Sequence, residues 1–238
     1  MGFDAEVFWA AILSPVFFKA AVVSAVLALL AHMLSILISV PMALGLQSRH
    51  RAIRGAIRTY VGVFRAIPTL LQLLFFWNAL PQFDPIFRES WYTPFLAALL
   101  SFSINEAAYQ IEINRAALNA VDKGQIAAAK AFGFSRSRTF FLIVLPQATR
   151  VALPPTVNEY ITLLKGTSLA SVIALQELMT VTNQAVSTTF MFKEYYLAAA
   201  VYYLVIVGLL TLYQGRLERR FEWGAPSAPR RRRLWGRA

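Results

Sequence analysis

The 238-residue sequence contains no cysteine and only two histidines. The missing cysteine excludes disulfide scaffolds, thiol nucleophiles, Cys-ligated zinc and iron–sulfur clusters. His32 and His50 are too few for a histidine-built metal centre, so no metal or other cofactor is expected. Charge is scarce as well: 15% of residues are charged, against about a quarter in a soluble domain. With 11 glycines and 11 prolines, collagen-like and disordered low-complexity classes are excluded too. What fills the chain is 58% hydrophobic residues, at a mean hydropathy of +0.54. A chain of this make-up cannot cover its own surface with polar groups, and the expected solvent is lipid.

About 20 apolar residues are needed to cross the hydrocarbon of a bilayer as a helix. Five stretches qualify: about 20–46, 60–80, 94–113, 151–175 and 195–213. The fourth is interrupted by the polar run Lys165-Gly166-Thr167-Ser168. A transmembrane β-barrel would instead show alternating segments of about ten residues, and the runs here are continuous. The expected fold class is all-α, a polytopic membrane protein of five transmembrane helices. Asp4 and Glu6 stand where a secretory signal would carry basic residues, so the first helix is expected to be retained.

The basic residues set the orientation. Arg49, Arg51, Arg54 and Arg58 form an acid-free group after the first stretch. Arg115, Lys123, Lys130, Arg136, Arg138 and Arg150 lie between the third and fourth. The tail carries Arg216, Arg219, Arg220, Arg230, Arg231, Arg232, Arg233 and Arg237. Eighteen of the 23 basic residues thus fall on one side, which places the N-terminus outside and the C-terminus in the cytoplasm. A net charge of +11 is also compatible with nucleic acid. However, the Arg230–Arg233 run follows a membrane helix and reads as an anchor for anionic lipid. No nucleic-acid partner is expected. The division expected is an extracytoplasmic segment 1–19, a transmembrane domain 20–222 with a cytoplasmic loop at about 114–149, and a basic tail 223–238.

That loop is the most informative stretch. Lys123 to Ala148 reads KGQIAAAKAFGFSRSRTFFLIVLPQA. It predicts a helix, a stop at Gly133 where a helix C-terminus needs positive φ, and a second amphipathic run ending at Pro146. An Ala-rich helix with Phe132 at its end offers a knob for a partner's groove, or else is a solvated loop helix. Its spacing resembles the EAA loop of bacterial ATP-binding-cassette (ABC) importer permeases: Ala127-Ala128-Ala129, Gly133, Ile143 and Leu145-Pro146, with Gln125 just ahead. More narrowly, the chain resembles the polar-amino-acid permease family, the membrane subunits of histidine-, glutamine- and arginine-type transporters. The strings that carry this are Phe64-Arg65-Ala66-Ile67-Pro68 with Gln72, Leu80-Pro81-Gln82, Lys123-Gly124-Gln125-Ile126, Leu145-Pro146-Gln147-Ala148, Leu163 to Leu169, and Leu217-Glu218-Arg219-Arg220. The likeness covers roughly residues 15–222. One departure is Ala127, where the family's triplet opens with an acidic residue.

The resemblance implies a multi-pass inner-membrane permease subunit that moves a polar amino acid by alternating access. It further implies two copies of a separate ATPase, an extracytoplasmic solute-binding protein, and a second permease in a homodimer or heterodimer. The sequence has no GxxxxGK[ST] phosphate-binding motif, so ATP chemistry is expected on another polypeptide and the chain is not expected to be an enzyme. The alternatives are an ABC permease for another small solute and a non-transport membrane assembly protein. An intramembrane enzyme would show a nucleophile–base pair or metal cluster, and none is visible.

Ionisable residues inside a span mark pathways by default. Asn105, Tyr109 and Glu112 share one helical face, with Glu106 beside them. Asn158, Thr162 and Lys165 repeat the spacing, with Glu159 adjacent. The expected translocation-path residues are Asn105, Glu106, Tyr109, Asn158, Glu159, Lys165, Thr167 and Ser168; the competing reading pairs these side chains as glue between helices. The Lys165–Ser168 run is expected to break the fourth helix and expose N–H groups to a substrate carboxylate. A plain packing kink is the alternative. His32 and Pro41 read as structural.

Overall fold

Prolines set the course of this chain, because each removes a backbone N–H and leaves the carbonyl four residues earlier without its helical partner. The computed structural model describes residues 2–221, so the tail expected at 223–238 lies outside the described residues. The described chain is helical and contains no strand. A short helix α1 (Ala5–Leu13) leads into α2 (Pro15–Gly45), with Ser14 capping α2 and Pro15 in its first turn. Then come α3 (Arg51–Ala66), α4 (Thr69–Leu74) and α5 (Leu80–Phe83). The long α6 (Pro94–Ala120) is followed by α7 (Lys123–Ala131), α8 (Arg136–Thr139) and α9 (Leu145–Gly166). The chain closes with α10 (Leu178–Thr189) and α11 (Phe192–Phe221).

Pro68 turns the expected second span through 100° between Arg51–Ala66 and Thr69–Phe83. It strips Phe64 of its helical N–H, and two side chains replace it. Gln72 Nε2 and Asn105 Nδ2 both donate to Phe64 O at 2.9 Å, and Gln72 also donates to Ile67 O at 2.8 Å. Two π turns have a similar origin. Phe75–Ala79 and Phe140–Val144 each end on an i+5 bond, Leu80 N to Phe75 O and Leu145 N to Phe140 O. Each is followed by Leu-Pro-Gln, so the lost donor is Pro81 in one and Pro146 in the other. The glutamine after each proline reaches back four residues: Gln82 Nε2 to Asn78 O at 3.0 Å, Gln147 Nε2 to Ile143 O at 2.9 Å. The Tyr92 hydroxyl satisfies Phe76 O at 2.6 Å. Burial pushes its pKa above the ordinary value, so it remains a donor at neutral pH.

The core lies where α6 crosses α2 and α9. Along α2 the buried positions Ala20, Ser24, Ala28, Ala31, Ser35, Ser39 and Ala43 recur every three or four residues. Against them α6 turns Ala97, Ala98, Ser101 and Ala108. Small residues let two backbones approach, and the contact energy comes from packing and hydrogen bonds. At the end of α2, Gly45 leaves room for α3: a Cβ there would meet Ile57 Cδ1 at 2.7 Å. At the other end α1 lies on α11, where Tyr202 donates to Ile12 O at 2.6 Å and Glu194 accepts from Asp4 N at 2.9 Å.

Length and apolarity mark three helical runs as able to cross a membrane: Pro15–Gly45, Arg136–Ile173 and Phe192–Leu217. The pair bent by 100° around Pro68 passes the same test only when its two arms are taken together, giving three or four candidate spans. The third of the five stretches read from sequence is α6, whose Asn105, Glu106 and Gln110 lower its apolarity; all three are buried. Two local expectations are corrected. The second run of the loop is not a separate helix, because the π turn before Pro146 carries α8 into α9, and Arg136–Ile173 is one 38-residue helical run. Nor does Lys165–Ser168 break the helix. Gly166 and Thr167 keep right-handed helical angles, and the chain tightens into a 3-10 turn, Thr167–Ile173. The hydroxyls bond backwards, Thr167 to Leu164 O at 2.7 Å and Ser168 to Lys165 O at 2.9 Å, so neither caps a restart. The chain leaves helical geometry only at Ala174, φ 58°.

Because either Gln72 or Asn105 alone can occupy Phe64 O, the paired loss is the informative measurement. Gln72→Leu and Asn105→Leu are each expected to cost about 1 kcal/mol, and the double variant more than their sum. Thermal unfolding of the purified protein reads this directly; strict additivity would show that the two donors do not substitute for each other at Phe64 O.

Candidate functional site

The bend at Pro68 brings the last turn of α3 against the middle of α6, and α2 and α9 close the other sides. Four ionisable side chains meet there. His32 of α2 and Glu106 of α6 are 7% and 5% exposed, with His32 Nδ1 3.4 Å from Glu106 Oε1. That distance makes an ion contact when the imidazole is protonated, but neither atom has a hydrogen-bond partner. The imidazole also lies against Tyr160 of α9, ring centroids 5.4 Å apart. Glu159, half-buried on α9, is within electrostatic reach of Glu106, His32 and Arg65. Arg65 is exposed, and its guanidinium sits 5.2 Å above the Tyr109 ring, a cation–π position. His32 and Glu106, taken this far from water, need partners; half-buried Glu159 and exposed Arg65 stand around them.

The expected path residues therefore divide. Glu106, Tyr109 and Glu159 are brought together. Asn105 is buried and occupied at the bend, donating to Phe64 O and accepting from Thr69 Oγ1 at 3.4 Å. Asn158, Thr162 and Lys165 lie exposed along α9 and form a polar stripe on the outside of the single chain. Thr167 is fully buried and Ser168 half-buried. His32 and Arg65 belong to the cluster although the sequence reading assigned neither to it. For His32 the available signal was a lone ionisable residue among apolar neighbours, which usually means packing.

A second buried carboxylate, Glu177, also escaped the sequence reading. It caps α10: Oε1 accepts from Thr180 N at 2.7 Å and Oε2 from Ser24 Oγ at 3.2 Å, pinning α10 to α2. Thr180 Oγ1 adds a third bond at 3.2 Å. Its hydrogen bonds to the protein assign it to structure.

The loop helix α7 starts on Asp122, whose carboxylate accepts from Gln125 N at 3.2 Å and from Gly124 N. It ends in a Schellman motif. Gly133, at φ +75°, sits just past the helix, with Phe134 N bonded to Ala129 O and Gly133 N to Lys130 O, both 3.0 Å. Ser135 then caps α8. Gln125, Ala127 and Ala128 are exposed and Ala129 is buried. Gly133, Leu145 and Pro146 are exposed and Ile143 half-buried. Phe132 stands out at 82% exposed. Gln125 Oε1 accepts from Gln147 Nε2 at 2.6 Å, tying α7 to the head of α9.

A polytopic helical bundle with a buried charge cluster and a protruding loop helix has the form of a membrane transport component. Residues 35–223 match the family described as binding-protein-dependent transport system inner membrane component, and the chain belongs to that family. The probable amino-acid permease protein YxeN of Bacillus subtilis is 39% identical over 162 residues, 68% of this chain and 71% of that one. The L-cystine transport system permease protein TcyB of the same organism is 34% identical over 197 residues, 82% of each chain. The glutamine transport system permease protein GlnP of Escherichia coli is 37% identical over 163 residues, 68% of this chain and 73% of that one. Among solved structures, an amino acid ABC transporter with histidines superposes with a TM-score of 0.83 at 30% identity, covering 92% of this chain and all of the other. The inward-facing methionine transporter, TM-score 0.75 at 15% identity over 92% of this chain and 99% of that chain, shares the fold.

Removing His32 takes from Glu106 its one ion-pair contact among the described residues. His32→Leu is expected to destabilise the protein by about 3 kcal/mol, or roughly 6 °C or more in Tm for a chain of this size. Glu106→Gln in the same background should recover most of the loss. If the double variant unfolds where His32→Leu does, the two side chains do not interact.

Proposed function

We propose that this chain is the membrane-spanning subunit of an ABC importer for a polar amino acid. It would cross the inner membrane five times, with α6 and the Pro68-bent pair counted as crossings, the N-terminus outside and the C-terminus inside. Cystine and glutamine relatives carry different substrates by name, and the polar amino acid is the class they share. ATP would be hydrolysed by two copies of a separate ATPase, and substrate delivered by an extracytoplasmic binding protein. A second permease, identical or sister, would complete the passage.

The observation that carries the proposal is the helical run Arg136–Ile173. At 1.5 Å per residue it is about 57 Å long, and it joins the loop helix to the Asn158–Lys165 stripe without a break. Through Gln125 and Gln147, a displacement of α7 reaches the head of that run directly. In this reading α7 docks in a groove of the ATPase, as an amphipathic helix does, with Phe132 as the exposed apolar anchor. Ala127 removes the acidic contact that the family pattern offers there, and packing carries the docking. Glu106 and Glu159 face the passage, and the α9 stripe meets its counterpart on the second permease. Thr167 and Ser168 fix the end of the lever rather than bind the substrate carboxylate.

Two measurements test the reading. Gly133→Val places a β-branched residue at φ +75°, a conformation that costs roughly 1–2 kcal/mol for a residue with a Cβ. Uptake per assembled complex is expected to fall about tenfold while the ATPase still co-purifies. Wild-type uptake would remove the loop from coupling. In this naturally cysteine-free chain, Glu159→Cys is expected to react with a small water-soluble thiol reagent, and its rate should differ between nucleotide-free and ATP-trapped complexes. A cysteine inert in both states would mean that Glu159 packs between helices and lines no passage.

A further inference from the structure

The outward face of α7 carries charge of one sign. Ile126 packs inward against Ala117, Val121 and Ala148, and Ala129 is buried, which turns Lys123, Ala127 and Lys130 to the outside. Four and three residues apart, these three side chains stand on one helical face. Arg136 and Arg138 follow on α8, both exposed, and the exposed Phe132 lies between the two helices. Lys123, Lys130, Arg136 and Arg138 form no ion pair among the described residues. From Asp122 to Arg138 the one acidic residue is Asp122 itself. Its carboxylate is occupied as the cap of α7, accepting from Gly124 N and Gln125 N.

Ala127 decides what that face can bind. An acidic residue there, as the family pattern has it, would sit four residues after Lys123 and three before Lys130, and would pair with both within the helix. With alanine in its place, nothing on this face neutralises the two ammonium groups. We propose that the ATPase groove receiving α7 is acidic, presenting carboxylates to Lys123 and Lys130 beside an apolar pocket for Phe132. The inference rests on the reading that α7 docks an ATPase, and adds the chemistry of the surface it meets. Exposed lysines contribute little to affinity one by one. A patch of one sign nevertheless speeds the encounter with an oppositely charged groove and disfavours partners of like charge. A groove that offers a cation to the acid of the family pattern would meet these lysines with repulsion, so the same face selects against the ATPases of related importers.

The test takes the ABC ATPase that co-purifies with the full-length permease, strips it off, and follows its return to the permease in phosphatidylcholine nanodiscs. The association rate is expected to fall about tenfold as salt rises from about 50 mM to about 500 mM. Replacing both lysines, Lys123→Gln with Lys130→Gln, should slow association about fivefold at low salt and flatten the salt dependence. Ala127→Glu should slow it by a similar factor, because the new carboxylate pairs with both lysines. Phe132→Ala should instead speed dissociation and leave the salt dependence in place. Unchanged or faster association of Ala127→Glu would overturn the proposal, and so would a wild-type rate and salt response in the double lysine variant. If the lysine variants keep ATPase binding but lose affinity for phosphatidylglycerol vesicles, the face belongs to lipid and the proposal fails. Failure of the docking reading itself looks different: either no ATPase co-purifies, or Phe132→Ala and the charge variants all associate and dissociate as the wild type does.

Discussion

In an apolar medium a carbonyl that loses its N–H has no water to turn to, and that constraint governs this fold. Pro68, Pro81 and Pro146 each remove a donor at a place where the chain must change direction or pitch. Side chains answer at two of these carbonyls, Gln72 and Asn105 at Phe64 and Tyr92 at Phe76, while Gln82 and Gln147 each bond the carbonyl four residues before them. Gln72, Asn105 and Tyr92 are thus polar where the backbone needs a donor. Their presence in apolar segments therefore says as much about proline as about transport.

The bend at Pro68 also has a chemical consequence. Without it, α3 and α4 would run as one rod and Arg65 would not sit over Tyr109 of α6. The small residues of α2 and α6 bring the two helices close enough for His32 to touch Glu106, with Tyr160 of α9 behind the imidazole. The charge cluster is thus assembled by two backbone effects, one proline bend and one close crossing. The cluster draws on α2, α3, α6 and α9, and only Glu106 with Tyr109 and Glu159 with Tyr160 are near each other in sequence.

That origin explains what was legible in the sequence. Long apolar runs, the stop at Gly133 and the loop helix followed from composition and local spacing, and the Schellman geometry around Gly133 matches the local rule. Glu106 and Glu159 stood out because ionisable groups in apolar runs are costly. His32, Arg65 and Glu177 were not legible, because their roles depend on which helices meet, and no local pattern encodes a crossing. The Lys165–Ser168 run misled for the opposite reason. Glycine and two hydroxyls in succession look like a break and a cap, but serine and threonine can return their protons to the preceding turn. Here they do, so the helix tightens instead of ending.

That continuity changes what α9 can do. A broken helix would hinge at Gly166 and absorb a push from the loop before it passed the hinge. The 38-residue run has no break at Gly166, and the places where it can kink are the π turn before Pro146 and the prolines at 154 and 155. Pro154 and Pro155 lie inside it, and such residues are tolerated in membrane helices when neighbours re-satisfy the freed carbonyls. The π turn before Pro146 is then the softest point between the loop and the stripe, and Gln147 bridges that point twice, to Ile143 O and to Gln125. Continuity past Gly166 and a clasp where the run meets the loop are what a lever would use, and both arise from how this chain satisfies its own backbone.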